Sequence, residues 1–208
     1  EVDPAHWFSA LTTAIAAAGG IDDVSAIAIG GQQHGMVTLD ASGNVIRPAL
    51  LWNDTRSATS ADDLNTELGG PAKTAQQVGS VLVAAFTAPK LRWVADNEKE
   101  NAAKVAAVAL PHDWLSWQMQ GGKDFDLLFT DRSDASGTGY FNPVTSTYRH
   151  DILSSALRTD RAIIAPRIIE PAAFGGKTLS GIPIAAGAGD NAAAALGVQA
   201  EPGDVVVS

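Results

Sequence analysis

Hydrophobic and polar positions along this chain switch repeatedly between a helical and a strand period, and the switches outline a mixed succession of helices and strands. Near the start, Asp3 is placed to cap a helix and Pro4 suits its first position. Trp7, Leu11, Ile15 and Ala18 recur at the spacing of one helical face, so a helix is predicted with these four as its buried stripe. Gly19-Gly20 can close it. The apolar run from Val24 to Ile29 predicts a buried strand, which enters a polar, glycine-bounded loop, Gly30-Gly-Gln-Gln-His-Gly35. Met36 to Asp40 and Val45-Ile46, around Ala41-Ser-Gly-Asn44, predict a hairpin. Ala49 to Trp52 predicts a short strand leading into Asn53-Asp54.

Further along, helices are predicted from Ser57 to Leu68, closed by Gly69-Gly70, and from Pro89 to about Asn97. A buried strand from Val105 to Leu110 meets Pro111-His-Asp113, and a helix continues to about Gln120, where Gly121-Gly122 stops it. Thr130 to Thr138 is small and polar and reads as a loop. Asp151 to Leu157 predicts a short helix, and Pro171 to Ser180 carries few structural signals. Ile182 to Ala186 predicts a strand, then Gly187-Ala-Gly-Asp190 and an alanine-rich helix to Leu196. Val205 to Val207 reads as a strand that lacks its pairing. Strands alternating with helices define an α/β domain, in which ligands gather beyond the carboxyl ends of the strands. The loops holding His34, Asp54 and Asp190 all follow strands.

Composition narrows the classes of partner. With 208 residues, 46% hydrophobic and 18% charged, the chain is an ordinary globular one with a real core. A net charge of -9 disfavours nucleic acid and anionic membranes. No apolar run is long enough to span a bilayer, the first residues lack a signal-peptide pattern, and cysteine is absent. These features fit a cytoplasmic location. The terminal valine strand, read as an exposed edge, is where a second copy could pair, so a homodimer is among the expected partners.

Asp190 stands out chemically, because a carboxylate where a strand gives way to a helix, behind two glycines, can accept a proton from a ligand hydroxyl. It can equally be the N-cap of the following helix. Gly187 to Ala192 also fits a loose dinucleotide fingerprint, but Asp190 would set a negative charge where a pyrophosphate must lie, and that reading is rejected. His34 with Gln32 and Gln33 supplies neutral donors and acceptors suited to a polyol, and no second histidine has metal-ligand spacing to it. Trp52 offers a face for the apolar side of a sugar, and Asp54 and Arg56 can bond hydroxyls or each other; the alternative is a buried tryptophan beside a surface ion pair. Phe86 to Trp93 and Pro111 to Trp114 read as packing and capping, and the hydroxyl- and acid-rich stretch from Thr130 to Thr138 as a loop held by its own side chains.

Taken in order, six segments resemble the FGGY carbohydrate kinases, most of all their xylulokinase branch. They are Gly30-Gly-Gln-Gln-His-Gly35, Leu51-Trp-Asn-Asp-Thr-Arg56, Phe86-Thr-Ala-Pro-Lys-Leu-Arg-Trp93, Pro111-His-Asp-Trp-Leu115, Ser133-Asp-Ala-Ser-Gly-Thr138 and Gly187-Ala-Gly-Asp-Asn-Ala192, the last continuing to Gly197 and Glu201-Pro-Gly-Asp204. The resemblance implies an actin-like, ribonuclease-H-like fold. In that fold this chain, residues 1–208, is an internal portion of the first, sugar-binding domain, and the second, ATP-binding domain lies outside it. It implies that Asp190 is the general base toward the terminal hydroxyl of D-xylulose, that Gln33, His34 and Asn191 touch the sugar, that Trp52 lines the pocket, and, more weakly, that Asp54 takes part. It further implies Mg-ATP as phosphoryl donor, bound by loops not found in this sequence, with no cofactor or metal ligand in this chain. Gln33 stands where xylulokinases often have methionine, and Ala85 where the family signature around Lys90 usually has glycine or another permitted residue. A ribulokinase, gluconokinase or glycerol kinase, or a catalytically silent sugar-binding module, remains the alternative.

Overall fold

The computed structural model describes residues 1–201 and 203–207; Pro202 and Ser208, which belong to segments discussed above, lie outside the described residues. The helices are α1 (Pro4–Ala17), α2 (Ala58–Glu67), α3 (Pro71–Val78), α4 (Thr87–Asn97), α5 (Lys99–Lys104), α6 (Pro111–Gln118), α7 (Arg132–Ala135), α8 (His150–Leu157) and α9 (Asp190–Gly197). The strands are β1 (Gly30–Gly31), β2 (Val37–Leu39), β3 (Ala107–Ala109), β4 (Phe129–Thr130), β5 (Phe141–Asn142), β6 (Thr147–Tyr148), β7 (Arg167–Ile168), β8 (Phe174–Lys177), β9 (Pro183–Ala185) and β10 (Ala188–Gly189).

Helix α1 begins as its sequence dictates. The Asp3 carboxylate accepts the Ala5 amide and Pro4 occupies the first turn. Its apolar face leans on the centre of the molecule through Trp7 and Phe8, whose rings meet Trp114 edge-on at 6.5 and 6.4 Å. Trp7, Leu11 and Ile15 are half-buried as the stripe requires, but Ala18 is exposed, because the helix has already ended at Ala17. Helices α2, α4 and α8 pack together around Leu64, Leu91, Val94, Ile152 and Leu153 and form the largest apolar cluster. A second cluster joins β2 and β3 to Trp114 and Trp117 of α6, and a third lies beneath Ile29, Phe129 and Ile184.

The strands are short and pair mostly in twos. β2 and β3 run antiparallel with Val37 opposite Ala109, and the predicted hairpin is present as Leu39 bridging Val45 around the Asp40–Asn44 turn. The structure corrects three strand expectations. The run from Val24 to Ile29 is not a continuous strand: Val24 is exposed, and only Ile27 bridges, to Ile184, before β1 pairs in parallel with β10 (Gly30 opposite Ala188, Gly31 opposite Gly189). Ala49 to Trp52 makes only single bridges, Ala49 to Val2 and Leu50 to Met36. Val205 to Val207 forms no strand and is 86, 47 and 89% exposed, so the pairing edge expected there does not exist among the described residues.

Two segments expected to lack structure acquire it. Thr130 to Thr138 is not a loop but the end of β4, helix α7 and a 3-10 turn, organised by Asp131, whose carboxylate caps the amides of Ser133 and Asp134. Between Pro171 and Ser180, β8 pairs antiparallel with β9. Its two glycines hide it from a propensity reading, and both are needed for close approach. A Cβ on Gly175 would stand 2.3 Å from the Phe129 ring, and one on Gly176 would stand 1.9 Å from Gln120 Oε1. Among the described residues no helix is long and apolar enough to cross a membrane.

Candidate active site

The parallel pair β1 and β10 carries two polar segments to the same edge of the molecule. Gln33 and His34 follow β1, and Asp190 and Asn191 follow β10 as the first residues of α9. With Trp52 they line one cleft of ≈ 330 Å³. Five of the six residues expected to form the site therefore meet. The sixth, Asp54, is outside the lining: its Oδ1 accepts from Arg56 Nε at 2.9 Å, and this pair holds its carboxyl below the usual carboxylate range against the opposing effect of burial. The ion pair foreseen as the alternative is thus present, whereas the buried tryptophan is not. Trp52 is 55% exposed, and it is Trp93 that receives the Arg56 guanidinium, 5.0 Å from its ring centre.

Asp190 is the first residue of α9, and Gly189 rather than Asp190 occupies the capping position. Its Oδ1 accepts the amide of Asn191 at 2.9 Å, and the side chain is otherwise exposed to the cleft, at the helix end where partial positive charge favours an anion.

His34 is held in a left-handed backbone conformation, φ +67°, which is costly for a residue with a side chain. Three contacts fix it there. Its Nδ1 lies 2.8 Å from the Gly137 carbonyl, Thr87 Oγ1 donates to its own carbonyl at 3.3 Å, and its ring packs on Phe86 with centres 4.8 Å apart. Because Nδ1 faces a carbonyl, it carries the proton and Nε2 is left as an acceptor. Burial and the charge of Lys90 lower the His34 pKa against the opposing Gly137 bond and Asp190 charge, so the ring is a neutral donor–acceptor near pH 7. A side chain on Gly137 would meet this ring at 2.7 Å, which accounts for glycine there.

Residues that sequence reasoning assigned to a loop (Ser133) and to packing and capping (Lys90) hold these groups in place. Gln33 Nε2 donates to the Ser133 carbonyl, and the Gly189 amide donates to Ser133 Oγ at 3.0 Å, so α7 grips both arms of the cleft. Lys90, fully buried on α4, directs its Nζ at the carbonyls of Ala84, Ala85 and Phe86. Burial pushes its pKa down to about 7 against the attraction of Asp54. The signal that could have found Ser133 was its place in a stretch richer in hydroxyls than packing requires.

Among the described residues, one group of acids and histidine is close enough to share a metal ion: His112, Asp113 and Asp134, all buried. Its ligand atoms already face one another. His112 Nδ1 lies 2.9 Å from Asp113 Oδ1 and 3.2 Å from Asp134 Oδ2, and Asp113 Oδ2 also accepts the Leu110 amide. Among the described residues, the cleft is lined by one exposed carboxylate, neutral polar groups and an aromatic face, with no cation in its lining. It suits an uncharged polyhydroxy ligand, and these residues do not form a seat for the phosphates of a nucleotide.

The curated xylulose kinase of Streptomyces coelicolor is 44% identical across the whole chain, which covers 44% of that protein. The xylulose kinase of Streptomyces rubiginosus is 42% identical over the same share of each. The crystal structure of xylulose kinase from Bifidobacterium adolescentis superposes with a TM-score of 0.93 at 42% identity, covering 98% of this chain and 49% of that one. The chain thus spans about half the length of the relatives it matches, and the mixed α/β architecture is that of the actin-like sugar kinases. The model of the N-terminal domain of the FGGY family of carbohydrate kinases matches residues 1–197, a span that holds both arms of the cleft and the helix bracing them, and the chain belongs to that family.

Proposed function

We propose that this chain forms the sugar-binding wall of an ATP-dependent kinase that phosphorylates the terminal hydroxyl of D-xylulose, with Asp190 as the base that takes the hydroxyl's proton. The observation carrying this reading is the meeting of one exposed carboxylate with Gln33, His34, Asn191 and Trp52 around a single cleft. Trp52 stacks on the carbon chain of the sugar. His34 accepts a hydroxyl proton through Nε2, and the Gln33 and Asn191 amides both donate and accept. This set orients an uncharged polyol and leaves the carboxylate of Asp190 to the reacting hydroxyl. Asp54, paired with Arg56, is given no direct contact with the sugar.

Phosphoryl transfer demands mainly positioning and charge stabilisation rather than covalent chemistry. Mg-ATP, the expected donor in this family, supplies the phosphoryl group and the cation on its oxygens, and its seat is assigned to parts of the whole protein other than this cleft. The reading places the enzyme in the cytoplasm, where the sugar and ATP are both present.

The test is Asp190→Asn in the whole protein. Turnover of D-xylulose is expected to fall by about 10²–10⁴-fold while sugar affinity stays within about tenfold, because removing a base costs mainly rate. A large loss of affinity with little loss of rate would instead identify a sugar-binding module. A panel of D-xylulose, ribulose, gluconate and glycerol, assayed on the unaltered protein, decides the sugar.

A further inference from the structure

His112 touches β1, α7 and the segment that leads to Asp190. It sits in the first turn of α6 with no exposed surface. Its Nε2 lies 2.8 Å from the carbonyl of Ala186, four residues before Asp190. Its Nδ1 faces Asp113 of its own helix at 2.9 Å and Asp134 of α7 at 3.2 Å. Its Cβ presses on Gly31 of β1, where an added methyl would stand at 3.0 Å. At Gly187, φ is +75° and an added Cβ would stand 2.4 Å from Nε2 and 2.2 Å from the Ile29 carbonyl, so the backbone passes directly over the ring.

Both ring nitrogens therefore face acceptors. A neutral imidazole has one N–H and can satisfy only one of them. The acids around the ring are Asp113 on α6, Asp134 on α7 and, behind these, Asp131 at the α7 cap; the Tyr140 hydroxyl is buried nearby without a hydrogen-bond partner. Burial opposes a charge on the ring, but the hydrogen bond to Asp113 and the close carboxylates of Asp113 and Asp134 outweigh it and hold the imidazolium. Burial also pushes the Asp134 carboxyl up, and the imidazolium pulls it back.

We propose that His112, doubly protonated between Asp113 and Asp134, is a positioning residue that fixes the Ala186–Asp190 strap through the Ala186 carbonyl and so sets where Asp190 stands in the cleft. The kinetic part rests on the function proposed above; the structural part does not. Asp134 joins this strap to α7, whose Ser133 holds Gly189 and Gln33, so one charged hub registers both arms of the cleft.

Two isosteric changes separate the two sides of the ring. In the whole protein, His112→Asn keeps a donor at the Nδ1 position and loses the Ala186 bond, whereas His112→Gln keeps a donor at the Nε2 position and loses the carboxylates. Amide hydrogen exchange over residues 187–191 is expected to quicken about tenfold or more in His112→Asn and distinctly less in His112→Gln. Turnover is expected to fall in the same order, by about 10–100-fold in His112→Asn, with the sugar KM within about threefold. Nitrogen NMR of the His112 ring in the unaltered protein is expected to show two protonated nitrogens at neutral pH, and this decides the matter even if a variant fails to fold. Exchange over 187–191 unchanged in both variants, equal quickening in both, or a singly protonated ring overturns the proposal. Absence of sugar-dependent ATP consumption by the unaltered protein overturns the kinase reading instead and leaves the exchange and ring results standing.

Discussion

On the Asp190 side of the cleft the backbone is braced by His112, and on the His34 side by Lys90; both are fully buried and both point nitrogen donors at main-chain carbonyls. They differ in company. His112 has two carboxylates in contact, which outweigh burial and raise its pKa to about 11. Lys90 has three carbonyls at its Nζ and no carboxylate in contact, and burial lowers its pKa to about 7. A buried cation in this fold is thus kept charged by adjacent acids rather than by carbonyl dipoles, and the two braces answer to pH in opposite directions.

The largest expected effect separates them by that sign. Between about pH 7 and 10.5 the unfolded chain holds a proton on Lys90 that the folded chain has lost, so this group makes stability rise with pH. His112 is the reverse: from about 6.5 upward the folded chain keeps a proton that the unfolded chain releases, so its stabilisation is complete below that pH and is lost toward about 11. Each slope is about 1.4 kcal/mol per pH unit. The unaltered protein is therefore expected to have a nearly flat profile through this window in urea titrations, Lys90→Met a falling one and His112→Gln a rising one. Parallel profiles for all three would break the comparison.

A smaller effect probes the Lys90 brace alone. Lys90→Met keeps the apolar stem but removes the ammonium donor from the Ala85 and Phe86 carbonyls, while the Ala84 carbonyl keeps Ser57 Oγ, and a loss of about 2 kcal/mol at neutral pH is expected from the shift in urea midpoint. The smallest concerns a residue that neither brace supports. Trp52→Ala removes an exposed ring, so stability is expected to stay within about 0.5 kcal/mol while the sugar KM rises several-fold. A drop in stability equal to that of Lys90→Met would mean that Trp52 belongs to the scaffold rather than to the ligand surface.

The long periodic helices were legible because each carries its own boundaries: Asp3 and Pro4 before α1, Gly69-Gly70 after α2, Gly121-Gly122 after α6. Helices α3 and α5 escaped notice because they are mostly exposed and poor in large apolar side chains: α3 has Val78 alone and α5 has none. The valines at 205–207 misled in the other direction, since β-propensity expresses itself only where a partner strand is present. In the site, the residues that line the cleft could be named from the chain. Those that hold the lining could not, because their chemistry is made by distant partners: His112 meets Asp134 across 22 positions, and alone the first reads as part of a capping segment and the second as part of a loop. The turn of α7 that joins them has no apolar face and looks like a loop until Asp131 caps it.

The tether on Asp190 has a consequence of its own. With Oδ1 accepting the amide of the next residue, the carboxylate's rotation is restrained and Oδ2 is the freer of its two oxygens toward a ligand. A tethered acid of this kind sets a direction of approach. On the proposed reading the reacting hydroxyl is terminal and its carbon has no configuration of its own, so the rest of the sugar, held by the cleft, must deliver that hydroxyl toward the freer oxygen. The constraint is written into one backbone amide, and mutations of the cleft walls alone would leave it intact.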